Sequence, residues 1–342
     1  MSFKVLKAGL FTTLQDKGRY SYQRFGMSVA GAMDGFALRI ANLLVGNDQY
    51  EVALESTFLG PTLEFEEHDV ISITGADMSP KINGNPIPMW MSIYVKPGDK
   101  LSFSGVKSGL RSYIAFSRKL DVPLIMGSRS TFTRGKIGGY EGRKLNDNDK
   151  IKFRDKELSL SKGSFIKKDW IPVYKKEETI RVILGPQDEF FMDDSIEVFL
   201  NSTYTITNEA DRMGYRLDGE KIVHKVGADI ISDGIVFGSI QVPGHGMPII
   251  MMADRATTGG YTKIATVITP DLSVLAQMAP GSKINFSQIT IQEANNLYRA
   301  NEAKIKDIQT HITSNSFDIT GIRTLNLNID GIPYRIDVNE IV

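Results

Sequence analysis

The segment from Asp254 to Lys263 carries charged residues of both signs, threonines and a glycine pair. It lies between two apolar runs, Pro248 to Ala253 and Ile264 to Ile268, which have the length and composition of buried strands. Glycines let a ligand approach the backbone and leave amide groups free to point at it. The segment therefore favours the wall of a binding pocket, although a polar hairpin with solvated charges would have the same composition.

A second polar cluster extends from Gly127 to Gly139 and contains three cations, four hydroxyl groups and four glycines in thirteen residues. This composition is typical of a loop that holds an anion with backbone amides, hydroxyls and cations. We expect Arg129, Arg134 and Lys136 to bind a phosphate or a carboxylate, since paired cations suit such anions. The cluster is not a P-loop, because Ile137 follows Lys136. A basic surface loop is the alternative.

Three shorter clusters have the same character: Thr12 to Arg19, Asp211 to Arg216 and Ile231 to Gly234. Each contains an aspartate beside a cation or a glycine, which is also the composition of a structural salt bridge or a turn. We interpret Asp211 and Arg212 as a possible structural pair and leave them out of the catalytic set.

Composition excludes several classes of protein and site. The chain has 342 residues, 42% of them hydrophobic and 23% charged, with 40 basic and 40 acidic residues, so no net charge indicates a nucleic-acid or membrane partner. It has no cysteine, which excludes disulfides and thiolate chemistry. The four histidines are scattered without metal-ligand spacing, so no metal site is expected. With no signal-like start and no long apolar run, a cytoplasmic location is expected.

The pattern of short β-prone runs between turn signals predicts a mainly β protein with a few helices. Strands are expected at Ile71 to Gly75, Ser92 to Val95 and Ser112 to Phe116, near the turn dipeptides Asn83-Gly84 and Pro97-Gly98. Helices are expected after Asp34 to about Val45, from Asp188 to about Leu200, from Asp271 to Met278 and from Gln292 to about Ile308.

The domain organisation follows from a weak internal similarity. Pro97-Gly98 followed by a short strand recurs as Pro280-Gly281, at similar spacing after an apolar run that ends in Ala-Asp, which suggests two related β units in tandem. Chance is a competing explanation, since such turns are common. The charged stretch from Lys152 to Lys176 is the expected boundary. We therefore predict an N-terminal β domain (residues 1–160), a C-terminal β domain (177–310), for which the family resemblance described below implies a barrel, and a hairpin extension (311–342) with its turn at Asp330-Gly331.

Taken together and in order, the motifs resemble those of a known family. They are Gly9 to Arg19, Gly31 to Asp34, Ala41 to Asn47, Ile73 to Asp77, Met126 to Thr131, Gly138 to Arg143, Leu184 to Gln187, Asp211 to Leu217, Ser232 to Gly234, Gln241 to Pro243 and Asp254 to Lys263. The chain is identified as similar to the second subunit of the allophanate hydrolase-like, biotin-dependent carboxyltransferase family. Bacterial stand-alone members of that family are called the C subunit of 5-oxoprolinase, or KipA.

The resemblance implies a fold of cyclophilin-like β-barrels. It also implies ATP-dependent opening of 5-oxoproline to glutamate, together with a sister protein (the KipI-like B subunit) and a third protein (the LamB/YcsF-like A subunit). Two alternatives stay open. One is the carboxyltransferase component of a urea or allophanate-type system, served by biotin on another protein. The other is a non-catalytic regulator that binds its sister subunit. No covalently bound cofactor is expected, and ATP is expected to be used by the complex.

The expected roles of the site residues follow from their chemistry. Lys263 is expected to stabilise a developing oxyanion or hold a carboxylate, and Asp233 and Asp254 to accept protons or orient an amide. Gln241 presents both a donor and an acceptor to a cyclic amide. The substrate-binding set is completed by residues of the Asp254 to Lys263 segment: Arg255, Thr257, Thr258, Gly259 and Gly260. The chain departs from the family pattern at Ala256, where glutamine is frequent, and at Thr262, where proline is usual.

Overall fold

The structure is a computed structural model that describes residues 2–154, 164–315, 319–329 and 332–341, the last two ranges by their backbone alone. Eleven strands lie before the charged stretch: β1 (Ser2–Lys7), β2 (Phe11–Gln15), β3 (Ala53–Thr57), β4 (Thr62–Phe65), β5 (Asp69–Asp77), β6 (Pro80–Ile82), β7 (Asn85–Pro86), β8 (Ser92–Val95), β9 (Lys100–Phe103), β10 (Ser108–Phe116) and β11 (Lys150–Lys152). The strands after it are β12 (Glu177–Leu184), β13 (Thr203–Ile206), β14 (Gly214–Asp218), β15 (Asp229–Gly234), β16 (Ser239–Gln241), β17 (Ile249–Met251), β18 (Thr258–Tyr261), β19 (Lys263–Val267), β20 (Lys283–Gln288), β21 (Ile319–Ile329) and β22 (Ile332–Ile341).

The first eleven strands form two sheets packed face to face, in the orders β11-β1-β4-β9-β6-β7 and β2-β3-β10-β5-β8. The alternation of side chains along β10 shows why both faces of the second sheet are covered. Ile114 and Phe116 point into the core between the sheets. Tyr113 and Ala115 pack on the opposite face with helical residues such as Leu38. Successive side chains of a strand point to opposite faces, so one strand serves two cores.

Seven later strands form a closed barrel in the order β12-β19-β16-β17-β14-β13-β20. Parallel pairing of β12 with β20, from Glu177 with Lys283 to Val182 with Gln288, closes the ring. Its interior is filled by apolar side chains of the strands, including Tyr215, Ile250 and Ile264. The prediction of a mainly β fold that includes a β-barrel is therefore confirmed. The proposed duplication stays a prediction, because the first half consists of two sheets and the second of a closed ring.

The helices are α1 (Gly35–Leu44), α2 (Asp193–Asn201), α3 (Thr269–Leu275) and α4 (Ile291–Ser314). Asp34 caps α1 as predicted, since its Oδ1 accepts the amide hydrogen of Ala37 at 2.9 Å. Helix α2 begins later than expected, because Phe191 is extended and buried, and bridges to His224. Helix α4 continues past residue 308 because Ile312 is also buried against the second sheet and α1.

The remaining local predictions concern turns and termini. Asn83 and Gly84 both have positive φ (52° and 83°) between β6 and β7, the conformation of a tight hairpin that favours this dipeptide. Strands β21 and β22 pair antiparallel as predicted, whereas the turn residues Asp330 and Gly331 lie outside the described residues. Part of the expected domain boundary, residues 155–163, also lies outside them, so the division into domains stays a prediction. No described helix is both long and apolar enough to cross a membrane.

The buried carboxyl group of Asp69, at the start of β5, should make the protein less stable as the pH rises from about 4 to 6. Burial raises its pKa from 3.8 to about 6, and hydrogen bonds from Ser117 and Val70 oppose that rise only in part. Between the two values the folded chain keeps a proton that the unfolded chain has released. The free energy of unfolding therefore falls as the pH increases through this window.

The variant Asp69→Asn tests this expectation, because an amide does not ionise. It should be about 1–3 kcal/mol more stable than the unchanged chain above pH 7, and the difference should vanish below about pH 4. Urea unfolding at several pH values measures it. Asp77→Asn, at the far end of the same strand, is the control for the loss of a single carboxylate. Parallel profiles for Asp69→Asn and the unchanged chain would contradict the prediction.

Candidate functional site

The structure brings Lys263 and Asp233 together at the edge of the barrel. Lys263 begins β19 and its side chain is only 2% exposed, whereas the Asp233 side chain, at the end of β15, is 52% exposed. The Lys263 Nζ lies 2.9 Å from Oδ2 of Asp233. Antiparallel pairing of β15 with β18 places Asp233 opposite Gly259, so the polar segment folds back over this point. The result is a buried ammonium group beside an accessible carboxylate.

Gln187 joins these two residues and was absent from the predicted site. Its Nε2 donates to Oδ2 of Asp233 at 3.3 Å, and its Oε1 accepts the backbone N–H of Lys263 at 3.1 Å. The backbone N–H of Gln187 in turn donates to the Lys263 carbonyl at 3.1 Å. The available signal was its position in the Leu184 to Gln187 motif, directly after a strand that ends in Gly-Pro. Gln187 therefore fixes both the lysine backbone and the carboxylate.

The electrostatics favour an orienting role for Asp233 over proton abstraction. The Lys263 ammonium lowers the pKa of the Asp233 carboxyl, assisted by hydrogen bonds from the Gly234 amide and from Gln187. A carboxylate with a lowered pKa is a weaker base, so it holds a proton less well at neutral pH. Of the two roles expected for Asp233, the structure is consistent with the second, in which it orients other groups.

Gln241 and Gly259 pack against each other next to this cluster. Gln241 is 5% exposed, and its Nε2 donates to the Tyr261 carbonyl at 3.4 Å. A Cβ atom at Gly259 would lie 2.7 Å from that Nε2 and 2.6 Å from Cδ1 of Ile235, so these two side chains would have to shift to admit one. At Gly260 the nearest atom would be 3.6 Å away, so this position has room. The close contact with neighbouring side chains therefore concerns Gly259, the first glycine of the pair.

Four residues of the Asp254 to Lys263 segment, Thr258–Tyr261, form strand β18, so the segment is more than a loop between two strands. Thr258 opens this strand and is exposed, while the Thr257 carbonyl accepts the amide hydrogen of Ile235 at 3.0 Å. Thr262, where the family usually has proline, donates its N–H to the Ala228 carbonyl at 2.9 Å, a bond that proline lacks. Ala256 is exposed at the surface.

Asp254, which the sequence placed in the catalytic set, lies in a different cluster. Its two carboxylate oxygens accept from Nε and Nη2 of Arg212 at 3.0 and 2.8 Å. Arg212 also donates to Glu55 on β3 and to the Gly31 carbonyl, so it connects the barrel to the first half. Burial would lower the pKa of Arg212, but the Asp254 and Glu55 carboxylates raise it. This buried carboxylate is engaged in an ion pair with Arg212, which favours a structural role, and the catalytic role expected for it stays a prediction.

The loop from Gly127 to Gly139 also differs from expectation, because its donors surround a carboxylate of the chain itself. Oδ1 of Asp16 accepts from the hydroxyls of Ser128 and Ser130, the first at 2.6 Å, and Oδ2 accepts the backbone N–H of Arg129 at 2.6 Å. The hydroxyls and this amide are therefore engaged by Asp16, and the binding of an external anion by Arg129, Arg134 and Lys136 stays a prediction. A cluster of hydroxyls and amides around an internal carboxylate fixes the loop to β2.

The three cations of this loop are separated from Lys263. The Nε of Arg129 donates to the Val122 carbonyl at 3.2 Å. Arg134 is exposed and forms an ion pair with Asp211 at 3.2 Å, while Lys136 is exposed at a turn with a φ of 53°. Arg134 instead lines a cavity of about 330 Å³ between the two halves, which Asp254 and Arg212 also line. Of the predicted site residues, Asp233, Gln241 and Gly259 lie with Lys263, and Arg134 and Asp254 line this junction. Arg129 and Lys136 line neither place, and Arg255 lines a separate cavity.

Comparisons with known proteins agree with this geometry. Residues 25–288 match the family described as "Carboxyltransferase domain, subdomain A and B". The C subunit of the 5-oxoprolinase of Escherichia coli (strain K12) is 38% identical over 291 residues, which cover 85% of this chain and 92% of that protein. The urea amidolyase of Saccharomyces cerevisiae is 32% identical over 90% of this chain but only 18% of its own length.

A solved structure shows the same fold. The crystal structure of the Kluyveromyces lactis urea carboxylase superimposes with a TM-score of 0.84 and 32% identity, covering 90% of this chain and 29% of that one. Matches of this extent, over the residues that build both halves and the Lys263 cluster, place the protein by descent. The chain belongs to the carboxyltransferase domain family, subdomains A and B.

Proposed function

We propose that this chain is the C subunit of a 5-oxoprolinase, which opens 5-oxoproline to glutamate with hydrolysis of ATP. The observation that carries the proposal is the buried Lys263 ammonium, held 2.9 Å from Asp233 at an accessible edge of the barrel. Similarity to the C subunit of the Escherichia coli 5-oxoprolinase over 92% of its length supports the choice of reaction. The chain would act with a sister protein (the KipI-like B subunit) and a third protein (the LamB/YcsF-like A subunit).

The chemistry of the cluster fits the opening of a cyclic amide. Attack on the ring carbonyl moves negative charge onto its oxygen, and a fixed cation in a water-poor setting stabilises that charge strongly. Lys263 would supply the cation. Asp233 and Gln187 would hold it in place, so that little reorganisation accompanies the reaction. Gln241, nearby and buried, has both a donor and an acceptor for the ring amide.

The exposure of Asp233 suggests how the partner proteins contribute. The exposed Asp233 carboxylate beside the buried Lys263 ammonium forms one wall of an open pocket. A partner that covers this wall would exclude water and strengthen the interaction between the ammonium group and the substrate oxygen. We propose that ATP is used by the complex and that the partners bind it. Each step assigned to this chain uses only its own residues: orienting the amide and stabilising the oxyanion.

Reconstitution tests the proposal. The chain is mixed with its sister protein and the third protein, and glutamate formation from 5-oxoproline and ATP is measured. We expect turnover only when all three are present, and a reduction of about 10–100-fold with Asp233→Asn in an intact complex. Asp193→Asn, in an exposed ion pair with Lys225, is the matched control. Equal turnover without this chain would refute the proposal.

A carboxyltransferase role toward urea is the second candidate, favoured by the match to urea amidolyase over 90% of this chain. Lys263 would then hold a carboxylate in place of an amide oxygen. This candidate predicts that a biotinylated carrier is required and that avidin abolishes turnover. Turnover of 5-oxoproline that avidin leaves unchanged would exclude it.

A further inference from the structure

A cavity of about 280 Å³ lies where the first half, the barrel and helix α4 meet. Its walls come from three parts of the chain, represented by Phe36 of α1, Phe237 of the barrel and Tyr298 of α4. The backbone N–H of Phe36 donates to Oγ of Ser273 at 3.2 Å, which joins two of these parts at the cavity wall. Lys263, Asp233 and Gln187 do not line it, so the cavity is separate from the cluster described above.

Arg255 lines this cavity with a buried guanidinium group that forms no ion pair with any carboxylate among residues 2–154 and 164–315. Its side chain is 8% exposed, and within the same residues it donates to two backbone carbonyls, those of Ile235 at 3.2 Å and Met252 at 3.3 Å. Its guanidinium carbon lies 5.6 Å from the centre of the Phe237 ring. Burying a cation with no carboxylate in direct contact is costly, and burial lowers the pKa of Arg255 to about 10, although the charges of Tyr20 and Asp254 oppose that fall. An anion beside it would relieve that cost.

The acidic groups that line the cavity are engaged elsewhere. Asp16 accepts hydrogen bonds from the Gly127 to Gly139 loop. Glu302 of α4 forms a two-bond ion pair with Arg39, at 2.6 and 2.8 Å. Lys17, also in the wall, is exposed and adds a further positive charge. The cavity therefore has a surplus of positive charge, and its carboxylates already have donors.

The remaining walls of the cavity favour a ligand with a flat, apolar body. Phe36, Phe237, Met33 and Leu272 supply apolar surface, and three half-exposed tyrosines add aromatic rings: Tyr20 (58% exposed), Tyr50 (45%) and Tyr298 (46%). Aromatic walls with one fixed charged group are typical of sites for small organic ligands. At about 280 Å³ the cavity is at the lower limit of such sites.

We propose that this cavity binds a small organic carboxylate with a planar apolar body, and that Arg255 is the partner of the carboxylate. A guanidinium group presents two parallel donors that match a carboxylate, and the bonds to the Ile235 and Met252 carbonyls hold this group in place. The site is independent of the proposed reaction at Lys263.

Binding of benzoate to the full chain, measured by isothermal titration calorimetry, tests the proposal. Benzoate should saturate the protein with a Kd of about millimolar or lower. Benzamide, which has the same ring but no charge, should bind at least tenfold more weakly. Inorganic phosphate, which has charge but no ring, should also bind at least tenfold more weakly. Equal affinities for benzoate and benzamide, or for benzoate and phosphate, would overturn the assignment, as would no binding of benzoate.

Variants locate the site. Arg255→Met should weaken benzoate binding at least tenfold, whereas Lys263→Met and Arg24→Met, at an exposed arginine, should leave it unchanged. Tyr298→Ala removes a half-exposed wall and should weaken benzoate binding several-fold, which keeps the test decisive if Arg255→Met fails to fold. Loss of binding in Lys263→Met, or full binding in Tyr298→Ala and in a folded Arg255→Met, would place benzoate elsewhere.

Discussion

Replacing Lys263 by methionine is expected to lower turnover of the reconstituted complex by about 10²–10³-fold while leaving the fold intact. The loss follows because the fixed cation that would face the developing oxyanion is gone. The fold should survive because methionine fills the space of the buried lysine stem, and because Asp233, at 52% exposure, stays solvated without its partner. Removing one partner of a buried ion pair is strongly destabilising when the other charge stays buried, and the exposure of Asp233 avoids that penalty. Steady-state kinetics and urea unfolding of the same sample separate the two effects.

The matched control is Lys225→Met. Lys225 pairs with Asp193 at 3.0 Å, nearly the distance of the Lys263 pair, but both side chains are exposed. It should change neither turnover nor stability beyond about 0.5 kcal/mol. Unchanged turnover for Lys263→Met in an intact complex would show that the reacting atoms lie elsewhere, and the junction cavity lined by Arg134 would be the next site to examine.

Replacing Arg212 by methionine is expected to reduce the free energy of unfolding by about 3–5 kcal/mol, because two buried carboxylates lose their cation. Asp254 and Glu55 are 6% and 1% exposed at their side chains, so water does not replace the arginine. Glu55 also accepts from the Tyr113 hydroxyl and the Met33 amide, which hold it in place. Differential scanning calorimetry should show a midpoint lowered by roughly 4–7 °C.

Two further variants make this prediction specific. Arg216→Met removes an arginine within β14 whose ion pair with Glu209, at 3.1 Å, is exposed, and it should cost no more than about 1 kcal/mol. The triple variant Glu55→Gln, Arg212→Met, Asp254→Asn removes the stranded charges and should recover part of the lost stability. A cost below about 1 kcal/mol for Arg212→Met alone would show that the carboxylates find other partners.

Local rules explain the parts of the fold that were predicted well. The Asp34 cap and the Asn83-Gly84 turn depend on neighbouring residues only, so their chemistry can be read from the chain. The late start of α2 could not be predicted, because it depends on Phe191 being extended and paired with His224, a distant residue. The closure of β12 on β20 likewise depends on a partner about a hundred residues away.

For the candidate site, the sequence by itself determined which residue types cluster and that Lys263 and Asp233 belong to polar, glycine-containing motifs, with Gln241 in the Gln241 to Pro243 motif. Only the tertiary structure decided which charges meet. In the fold, Lys263 pairs with Asp233, to which Gln187 also donates, and Asp254 pairs with Arg212. The Gly127 to Gly139 loop, whose composition suited an external anion, donates to Asp16. The physical reason is that the energy of a charge depends on its burial and its nearest counter-charge, and both are set by contacts between residues far apart in the chain.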